Sequence, residues 1–493
     1  MWSGRLKQPL DPAFEQWQRS FPFDRVLITE ELAASTAHAH ALVGAGVLTV
    51  QEAEHIAAAL KEIGEKVKND PRLLESQEAE DVHHFVELML VAVVGELGYK
   101  LHSGRSRNEQ IATDLRLFAR KSIDRLQAAL TNLLQALVAR AEEAGEAAMP
   151  AYTHSQRAEP VLVAHWLLAY FAMLLRDLDR LVDCRARVNV CPLGSGAVAG
   201  SGLKLDREAT AAELGFDGIT QNSIDATSDR DFVLEFLHCC SFVALHLSRL
   251  AEEMVMFATA EFAFIALPDQ YSTGSSALPQ KKNPDAMELI RGKVGRICAA
   301  AHGIELTIKS LPLAYNKDLQ ESQEPLLKTA PEMLTMVEIA TGFLKEVKFN
   351  FERMQQAATT GYMNAIAAAN YLARKGLAFR LAHKVVGEVV QLCLERGCAI
   401  EDLSTAELRK FSLLFGDDFK EALKLKKVLA GPDLPGGTAP IQVKQALQAA
   451  KEKLGSKLPR QVEQQGITTN SPQQPEKRRS PGTPAKEVAY ESA

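Results

Sequence analysis

The longest uninterrupted pattern in the chain lies between Gly104 and Gly145, where no other glycine and no proline occurs. Apolar residues recur in this stretch at steps of three and four positions: Ile111, Leu115, Phe118, Leu126, Leu130, Leu133, Leu134 and Leu137. That spacing places them on one face of an α-helix. About 40 residues at a rise of ~1.5 Å give a helix of roughly 60 Å, far longer than a typical globular helix.

Four further stretches show the same helical character, and strand-like alternation is nearly absent. They run from Pro160 to Val190, from Ser228 to Leu267, from Pro284 to about Lys309 and from about Pro331 to Gly361. Long helices bury their apolar stripes against one another, so the pattern predicts an all-α fold built on a central long-helix bundle. The apolar faces exceed what one chain can bury, which predicts that copies associate through the bundle.

The residues on either side of the bundle form shorter, mixed elements, with helices expected near Glu31–Ala45 and Gln51–Lys68. At ~150 residues per domain, the length suggests about three domains. The final segment is rich in Pro, Gln and Ser and lacks apolar periodicity, which predicts disorder. The predicted divisions are 1–103 (N-terminal helical domain), 104–361 (central bundle domain), 362–457 (small helical C-terminal domain) and 458–493 (disordered tail).

Composition and charge exclude several functional classes. The 493 residues carry 56 Lys and Arg against 62 Asp and Glu, and the formal charge of −6 gives no reason to expect a nucleic-acid partner. No signal-peptide pattern opens the sequence and no apolar run approaches ~18 residues, so we expect no membrane association. The seven cysteines are odd in number and form no Cys-x-x-Cys pair, which predicts a reducing, cytoplasmic compartment.

Two of the polar segments that interrupt the predicted helices contain candidate functional groups. LHSGRSRNEQ, over 101–110, places two arginines at a helix start, where they suit a carboxylate or phosphate receptor. An ordinary N-cap with solvated arginines fits the same pattern. AYTHSQRAEP, over 151–160, holds His154 shortly before Pro160, which is predicted to start the next helix. Histidine is the default group for proton transfer near neutral pH, although a loop histidine is commonly structural.

The third polar segment, YSTGSSALPQKKNPDAMELIRGK, spans 271–293. Asn283 is a good N-cap and Pro284 suits the first helical position, so a helix start is predicted there. Lys281 and Lys282 add positive charge beside a flexible Gly-Ser-Ser loop. Such a loop next to lysines and a helix N-terminus is suited to holding a developing anion, whereas a solvated linker is the alternative interpretation.

The sequence predicts neither a metal nor a cofactor. His83 and His84 are adjacent on a predicted helix and would point to different faces, which makes them a poor ligand pair. The chain contains no P-loop and no Gly-x-Gly-x-x-Gly motif. From the residues alone, the chain is a helical bundle with an anion site and acid–base groups.

Several of these segments together resemble one known family. GSSALPQKKNPD resembles the signature loop of the fumarase/aspartase superfamily, Gly-Ser-Ser-x-Met-Pro-x-Lys-x-Asn-Pro, and its double lysine followed by Asn-Pro-Asp resembles the argininosuccinate lyase branch. HSGRSRNEQ, THSQRAEP, NSIDATSDRDF, PLGSGAVAG and YNKDLQE are also similar to segments of that branch. The resemblance covers nearly everything except the tail. It implies three mainly helical domains, a homotetramer, and active sites that each use residues of three chains.

The resemblance also implies a reaction, the β-elimination of argininosuccinate to arginine and fumarate without a metal or cofactor. It maps the catalytic serine onto Ser275, on a loop expected to close over the substrate. Lys281 and Asn283 would stabilise the aci-carboxylate intermediate. We assign Ser275 as the base and His154 as the acid that protonates the leaving nitrogen; the reversed assignment stays open. Glu288 would orient and polarise His154.

Seven further residues are implied to bind the substrate, and they come from segments far apart in the sequence. They are Ser20, Ser106, Arg107, Asn108, Thr153, Tyr315 and Gln320. Arg107 would help to hold a carboxylate. His83 and Arg230 are implied as supporting residues behind them.

The sequence departs from the branch at a few positions. After YNKDLQE the branch usually has Asp-Lys, whereas Ser322 and Gln323 stand there in this chain. Loss of a charged hydrogen bond from that lysine would weaken binding by ~1.5–3 kcal/mol. Two alternatives therefore stand beside an active argininosuccinate lyase. One is a lyase of the same superfamily that acts on a related succinyl adduct, and the other is a non-catalytic structural protein of crystallin type.

Overall fold

The computed structural model describes residues 8–75 and 79–457. The predicted tail, 458–493, lies outside the described residues. The first part of the chain folds into short and medium helices, of which α3 and α4 are the longest. Their bounds are α1 (Pro12–Gln18), α2 (Phe21–Asp24), α3 (Ile28–Gly44), α4 (Val50–Asn69), α5 (Val82–Val94) and α6 (Leu97–Lys100).

Helices α3, α4 and α5 pack against one another around a separate hydrophobic core. Helix α4 begins with a capping box in which Thr49 and Glu52 satisfy each other's backbone N–H groups. Its apolar stripe includes Ile56, Leu60 and Ile63, all fully buried. The two helices predicted in this region are confirmed, with shifts of a few residues at their ends.

The centre of the chain consists of five long helices with short elements between them. In chain order the elements are α7 (Arg107–Ala144), β1 (Ala148–Thr153), β2 (Gln156–Leu162), α8 (Val163–Val188), β3 (Val190–Cys191), α9 (Arg207–Glu213), β4 (Gly218–Ile219), α10 (Ser223–Ser228), α11 (Asp231–Phe257), β5 (Ile265–Ala266), β6 (Thr273–Gly274), β7 (Lys282–Asn283), α12 (Asp285–Ile308), α13 (Gln323–Glu346), β8 (Lys348–Phe349) and α14 (Phe351–Ala358).

Helix α7 shows why these residues form a bundle. It runs for 38 residues, starts at a capping box of Ser106 and Glu109, and ends at Gly145, whose φ of 52° a residue with a side chain rarely adopts. Its apolar stripe, which includes Leu130 and Leu137, is fully buried against α8 and α13. The predicted all-α fold with a central long-helix bundle is confirmed.

Three details of the predicted helices are wrong. Pro160 does not start a helix, because it lies in β2, which pairs antiparallel with β1, and α8 begins only at Val163. Pro331 lies inside α13, which starts at Gln323 and ends before β8. Asn283 is not the N-cap of α12, because its backbone pairs with Thr273 in a short antiparallel ladder instead.

Helix α11 is long and apolar enough, by length and composition, to cross a membrane. Its most apolar window has a mean hydropathy of 1.3 and is 56% buried inside the protein. The helix packs along α12 and α8, where Phe236, Val243 and Leu247 are buried. These contacts make α11 a core helix of the bundle.

The last described elements are α15 (Ala365–Arg374), α16 (Phe379–Arg396), α17 (Thr405–Leu408), α18 (Phe419–Ala422), α19 (Leu425–Ala430) and α20 (Pro440–Lys457). Helices α15, α16 and α18 surround a third core, in which Phe415 and Phe419 are buried. Helix α20 instead packs on α7 and α8. The predicted domain boundaries stay predictions; three large hydrophobic cores support a division of this kind, and a smaller fourth core joins α3, α7 and α9.

Candidate active site

Five of the predicted substrate-binding residues line one cavity of about 180 Å³ at the N-terminal end of the bundle. Its wall is built by the segment before α2, the first turn of α7, and the segment that leads into α13. The five are Ser20, Arg107, Asn108, Tyr315 and Gln320. The structure thus brings together residues separated by up to 300 positions, as a shared binding site requires.

The cavity carries charges of both signs. Arg107 Nη1 lies 2.8 Å from Asp81 Oδ2 and 3.6 Å from Glu80 Oε2. Lys317 Nζ lies 3.9 Å from Glu80 Oε1. Mixed charge of this kind suits a ligand that itself carries both carboxylates and cationic groups.

Ser106 does not line this cavity. Its hydroxyl accepts a hydrogen bond from the backbone N–H of Asn108 at 3.3 Å, and Glu109 Oε1 accepts from the N–H of Ser106 at 3.0 Å. These bonds fix the first turn of α7, and that turn presents Arg107 and Asn108 to the cavity.

Asp24 is a cavity residue that sequence reasoning missed. It is 1% exposed, and its Oδ1 accepts a hydrogen bond from the N–H of Val82 at 3.1 Å. Burial raises the pKa of the Asp24 carboxyl to about 7. Its position one helical turn after Ser20 was the signal that could have revealed it.

Asp24→Asn is expected to raise the free energy of unfolding at a pH of about 8 but not at about 3. The carboxyl is neutral in both states below its ordinary pKa of 3.8, whereas above 7 the folded chain holds a buried charge. A rise of the pKa from 3.8 to about 7 corresponds to about 4 kcal/mol. Thermal unfolding at both pH values checks the expectation. An equal change in Tm at the two pH values would contradict it.

His83 links the cavity to a buried acidic pair. Its Nδ1 lies 2.7 Å from Glu31 Oε2 and 3.7 Å from Asp114 Oδ2, and all three residues are buried. Burial disfavours the charged imidazole, yet the neighbouring Glu31 carboxylate raises the pKa of His83. Burial and the nearby Glu31 charge raise the pKa of Asp114 well above its usual value. The Glu31 carboxylate thus favours the charged form of His83, while burial and the Glu31 charge favour the neutral form of Asp114.

Among the described residues, the side chains of Glu31, His83 and Asp114 lie close enough together to hold a metal ion. One possible ligand atom of each lies within 4.8 Å of the others. The positive charge of Arg105 acts on both Glu31 and Asp114, which opposes the binding of a further cation. Burial and the Glu31 charge favour the neutral form of the Asp114 carboxyl, which also disfavours the binding of a cation by this group.

The candidate acid His154 lies at the tip of the β1–β2 hairpin. His154 and Ser155 have φ values of 53° and 58°, the left-handed conformation of a two-residue hairpin turn. Neither residue is glycine, so both backbone conformations are uncommon. Uncommon backbone conformations of this kind are found preferentially at functional sites. Thr153 and His154 are exposed, so the hairpin presents them away from the body of the chain.

The candidate serine lies in the loop between β6 and β7. Its Oγ accepts hydrogen bonds from the backbone N–H groups of Ala277 at 3.3 Å and Leu278 at 3.1 Å. Two such donors stabilise negative charge on the Ser275 oxygen. The Asn283 amide donates to the carbonyl of Gly274 at 3.4 Å and so ties the two ends of the loop together.

The two lysines of this loop have different surroundings. Lys282 forms an ion pair with Asp269, whereas Lys281 is exposed and forms no ion pair among the described residues. Glu288, in the first turn of α12, is also exposed, and one of its oxygens lies 4.0 Å from Arg291. In the described part of the chain no hydrogen bond joins Glu288 to His154.

The predicted residues therefore fall into three groups on one chain: the cavity, the hairpin tip and the serine loop. Among residues 8–75 and 79–457, neither the hairpin tip nor the serine loop contributes a residue to the lining of the cavity. Each group is locally well formed, but a single chain does not assemble them.

Comparison with known proteins identifies the class. Residues 4–299 match the family described as Lyase, and residues 362–430 match Argininosuccinate lyase C-terminal. EDDS lyase in complex with formate is 28% identical with a TM-score of 0.80, covering 91% of both chains. Class II fumarase from Schistosoma mansoni has the same fold at 17% identity, with a TM-score of 0.70 over 83% of this chain and 91% of that chain. The chain is a lyase of the fumarase/aspartase superfamily.

Curated relatives define the branch. Argininosuccinate lyase from Koribacter versatilis (strain Ellin345) is 56% identical over 457 residues, which cover 92% of this chain and 97% of that protein. Argininosuccinate lyase from Heliobacterium mobile is 44% identical over 454 residues, with coverage of 92% and 99%. The chain belongs to the argininosuccinate lyase family, which confirms the resemblance seen in its motifs.

Proposed function

We propose that this chain splits argininosuccinate into arginine and fumarate at sites that three subunits of a cytoplasmic homotetramer build together. The observation that carries the proposal is the separation of three well-formed groups on one chain. The cavity has the charges to bind the substrate, the serine loop has an oxygen poised to become an anion, and the hairpin presents an exposed histidine. Copies packed through the bundle would bring the three groups into one site.

Exposed apolar side chains on the bundle support the association of copies. Phe242 and Leu245 on α11, and Leu289 and Leu306 on α12, are 42% to 61% exposed in the single chain. Large apolar groups along two neighbouring core helices are typical of a surface that a further copy covers. The superfamily's tetrameric assembly fits this surface. All seven cysteines are free, which fits a reducing cytoplasm.

The cavity would bind the substrate through its two kinds of charged group. Arg107 would hold a carboxylate, and Asn108, Ser20, Tyr315 and Gln320 would donate or accept the remaining hydrogen bonds. From a second subunit Thr153 would add a hydroxyl group at the hairpin. Ser106 would act by fixing the first turn of α7.

The chemistry would begin at the carbon next to a succinyl carboxylate. Ser275, with its oxygen held by two backbone N–H groups, would remove the proton from that carbon. Lys281 and Asn283 would stabilise the additional negative charge on the carboxylate. The electron pair would then form the double bond of fumarate as the carbon–nitrogen bond breaks.

The leaving guanidino nitrogen would take its proton from His154, and arginine would depart. Glu288 of another subunit would accept a hydrogen bond from the imidazole, which fixes its orientation and favours its charged form. The chain's own residues thus supply a base, an acid and stabilisation of the intermediate anion.

The proposal is tested by the release of fumarate from argininosuccinate, followed by ultraviolet absorbance, with synthesis from arginine and fumarate as the reverse check. We expect release by the purified protein. A folded oligomer that released no fumarate would contradict the proposal and would favour a different succinyl substrate or a structural role.

A further inference from the structure

Arg230, next to the first residue of α11, is a buried guanidinium that has no carboxylate partner in the described part of the chain. It is 1% exposed. Its Nη1 donates to the carbonyl oxygen of Asp229 at 2.7 Å, its Nε donates to Ser322 Oγ at 3.1 Å, and its Nη2 has no hydrogen-bond partner. The Asp229 carboxylate pairs with Arg116 instead. Arg230 therefore carries a buried positive charge that no carboxylate of the described residues contacts directly.

This charge lies directly behind the wall of the substrate cavity. Ser322, which accepts the hydrogen bond from Arg230, precedes Gln323, and Gln323 lines the cavity. Gln323 is 3% exposed, and its Oε1 has no partner. Burial raises the pKa of the Tyr315 hydroxyl, another cavity group, and the nearby positive charge of Arg230 opposes that increase. Arg230 thus acts on Tyr315 and contacts the residue that precedes Gln323, and both Tyr315 and Gln323 line the cavity.

A buried charge without a counterion is unfavourable, and the surrounding low dielectric makes its attraction for an anion strong. The proposed substrate carries three carboxylates. A substrate carboxylate bound against Tyr315 and Gln323 would supply the counterion that no carboxylate of the described residues provides. The neutral hydroxyl of Ser322 is what leaves the charge of Arg230 available, since a carboxylate at this position would neutralise it.

We propose that Arg230 is a positioning residue whose unpaired charge, kept free by the neutral Ser322, draws a substrate carboxylate to the Tyr315–Gln323 wall of the cavity. The inference rests on the proposed function and adds the way in which this chain fixes the orientation of its substrate. Arg230 acts through the cavity wall and takes no part in the proton transfers.

Ser322→Asp tests the inference because it places a carboxylate beside Arg230. We expect KM for argininosuccinate to rise about tenfold or more, with kcat changed less than about threefold and Tm unchanged or higher. A purely structural Arg230 would gain a stabilising partner without any change in KM. Adding Gln323→Lys to this variant returns one positive charge to the wall, and we expect KM to fall back towards the wild-type value.

Ser322→Asn is the matched control, because asparagine has nearly the size of aspartate without its charge. We expect the factor by which KM rises in Ser322→Asn to be at least five times smaller than the factor in Ser322→Asp, in keeping with a charge effect. Lys328→Gln makes the same change in net charge on the exposed side of α13 and is expected to keep the wild-type KM. Equal KM values in the Asp and Asn variants, or no recovery in the double variant, would overturn the inference.

Arg230→Gln gives a second test if Ser322→Asp does not fold. It removes the charge and keeps a hydrogen-bond donor, and a wild-type KM in this variant would overturn the inference. Failure of the proposed function would look different, because then the wild-type protein itself would release no fumarate. If only this inference fails, the wild-type protein is active and the variants have the same KM as the wild-type protein.

Discussion

Ser275→Ala is expected to lower kcat for fumarate release by about 10²–10⁴-fold, the usual contribution of a positioned general base. The hydroxyl oxygen of Ser275 accepts hydrogen bonds from the N–H groups of Ala277 and Leu278, which stabilise it as an anion. Alanine removes the atom that would accept the substrate proton. The loop lies between β6 and β7 at the surface, so the helical core and the assembly are expected to be unchanged.

Ser276→Ala is the matched control, because Ser276 is the next residue in the same loop and its side chain is exposed. Steady-state rates for both variants are compared together with Tm and the mass of the oligomer. A kcat for Ser275→Ala near the wild-type value would remove Ser275 from the mechanism. Equal losses in both variants would show that loop conformation, and not the Ser275 oxygen, is what matters.

Lys281→Met is expected to lower kcat by about 10²–10³-fold, the size of effect seen when one donor to a developing anion is removed. Lys281 is exposed on the single chain and forms no ion pair among the described residues, so its charge is available to a substrate carboxylate. Methionine keeps most of the length and apolar volume of the side chain. The variant therefore isolates the charge.

Lys282→Met is the control for this variant, since the two lysines are adjacent and differ in their surroundings. Lys282 already pairs with Asp269, which directs its charge away from the proposed reacting atoms. We expect its kcat to stay within about threefold of the wild-type value, because exposed ion pairs contribute little. The same large loss in both variants would mean that total loop charge, and not Lys281 itself, supports turnover.

The long helices were predictable from the sequence because their apolar positions repeat over many turns. Both ends of α7 were also indicated by the sequence, by the polar segment before its first residue and by the glycine that follows its last residue. The β1–β2 hairpin was not predictable, because the strand around Pro160 is stabilised by pairing with residues 148–153 and carries no alternation of its own. The prediction that Asn283 is an N-cap was wrong for the same reason. Its backbone pairs with Thr273 across the serine loop, and this pairing outweighs the capping preference of asparagine.

The site residues were found through the resemblance of their motifs, and chain spacing alone would not have grouped them. The structure explains why Arg107 and Tyr315 belong together, since both line one cavity. It also adds Asp24, which follows Ser20 by one helical turn, and Lys317, which lies in the YNKDLQE segment but was not among the predicted residues. The unpaired state of Arg230 depends on which side chains face it across the fold, and no local pattern reveals that.

Mixed oligomers of Ser275→Ala and Arg107→Met chains test most directly whether different subunits build each site. The two variants are co-expressed with different tags, and oligomers that contain both are isolated by tandem purification. Each variant alone is expected to be nearly inactive. Random mixing gives a site an intact serine loop from one chain and an intact cavity from another in about a quarter of cases, so up to about a quarter of wild-type fumarate release is expected. Mixed oligomers no more active than either variant alone would contradict a site shared between subunits.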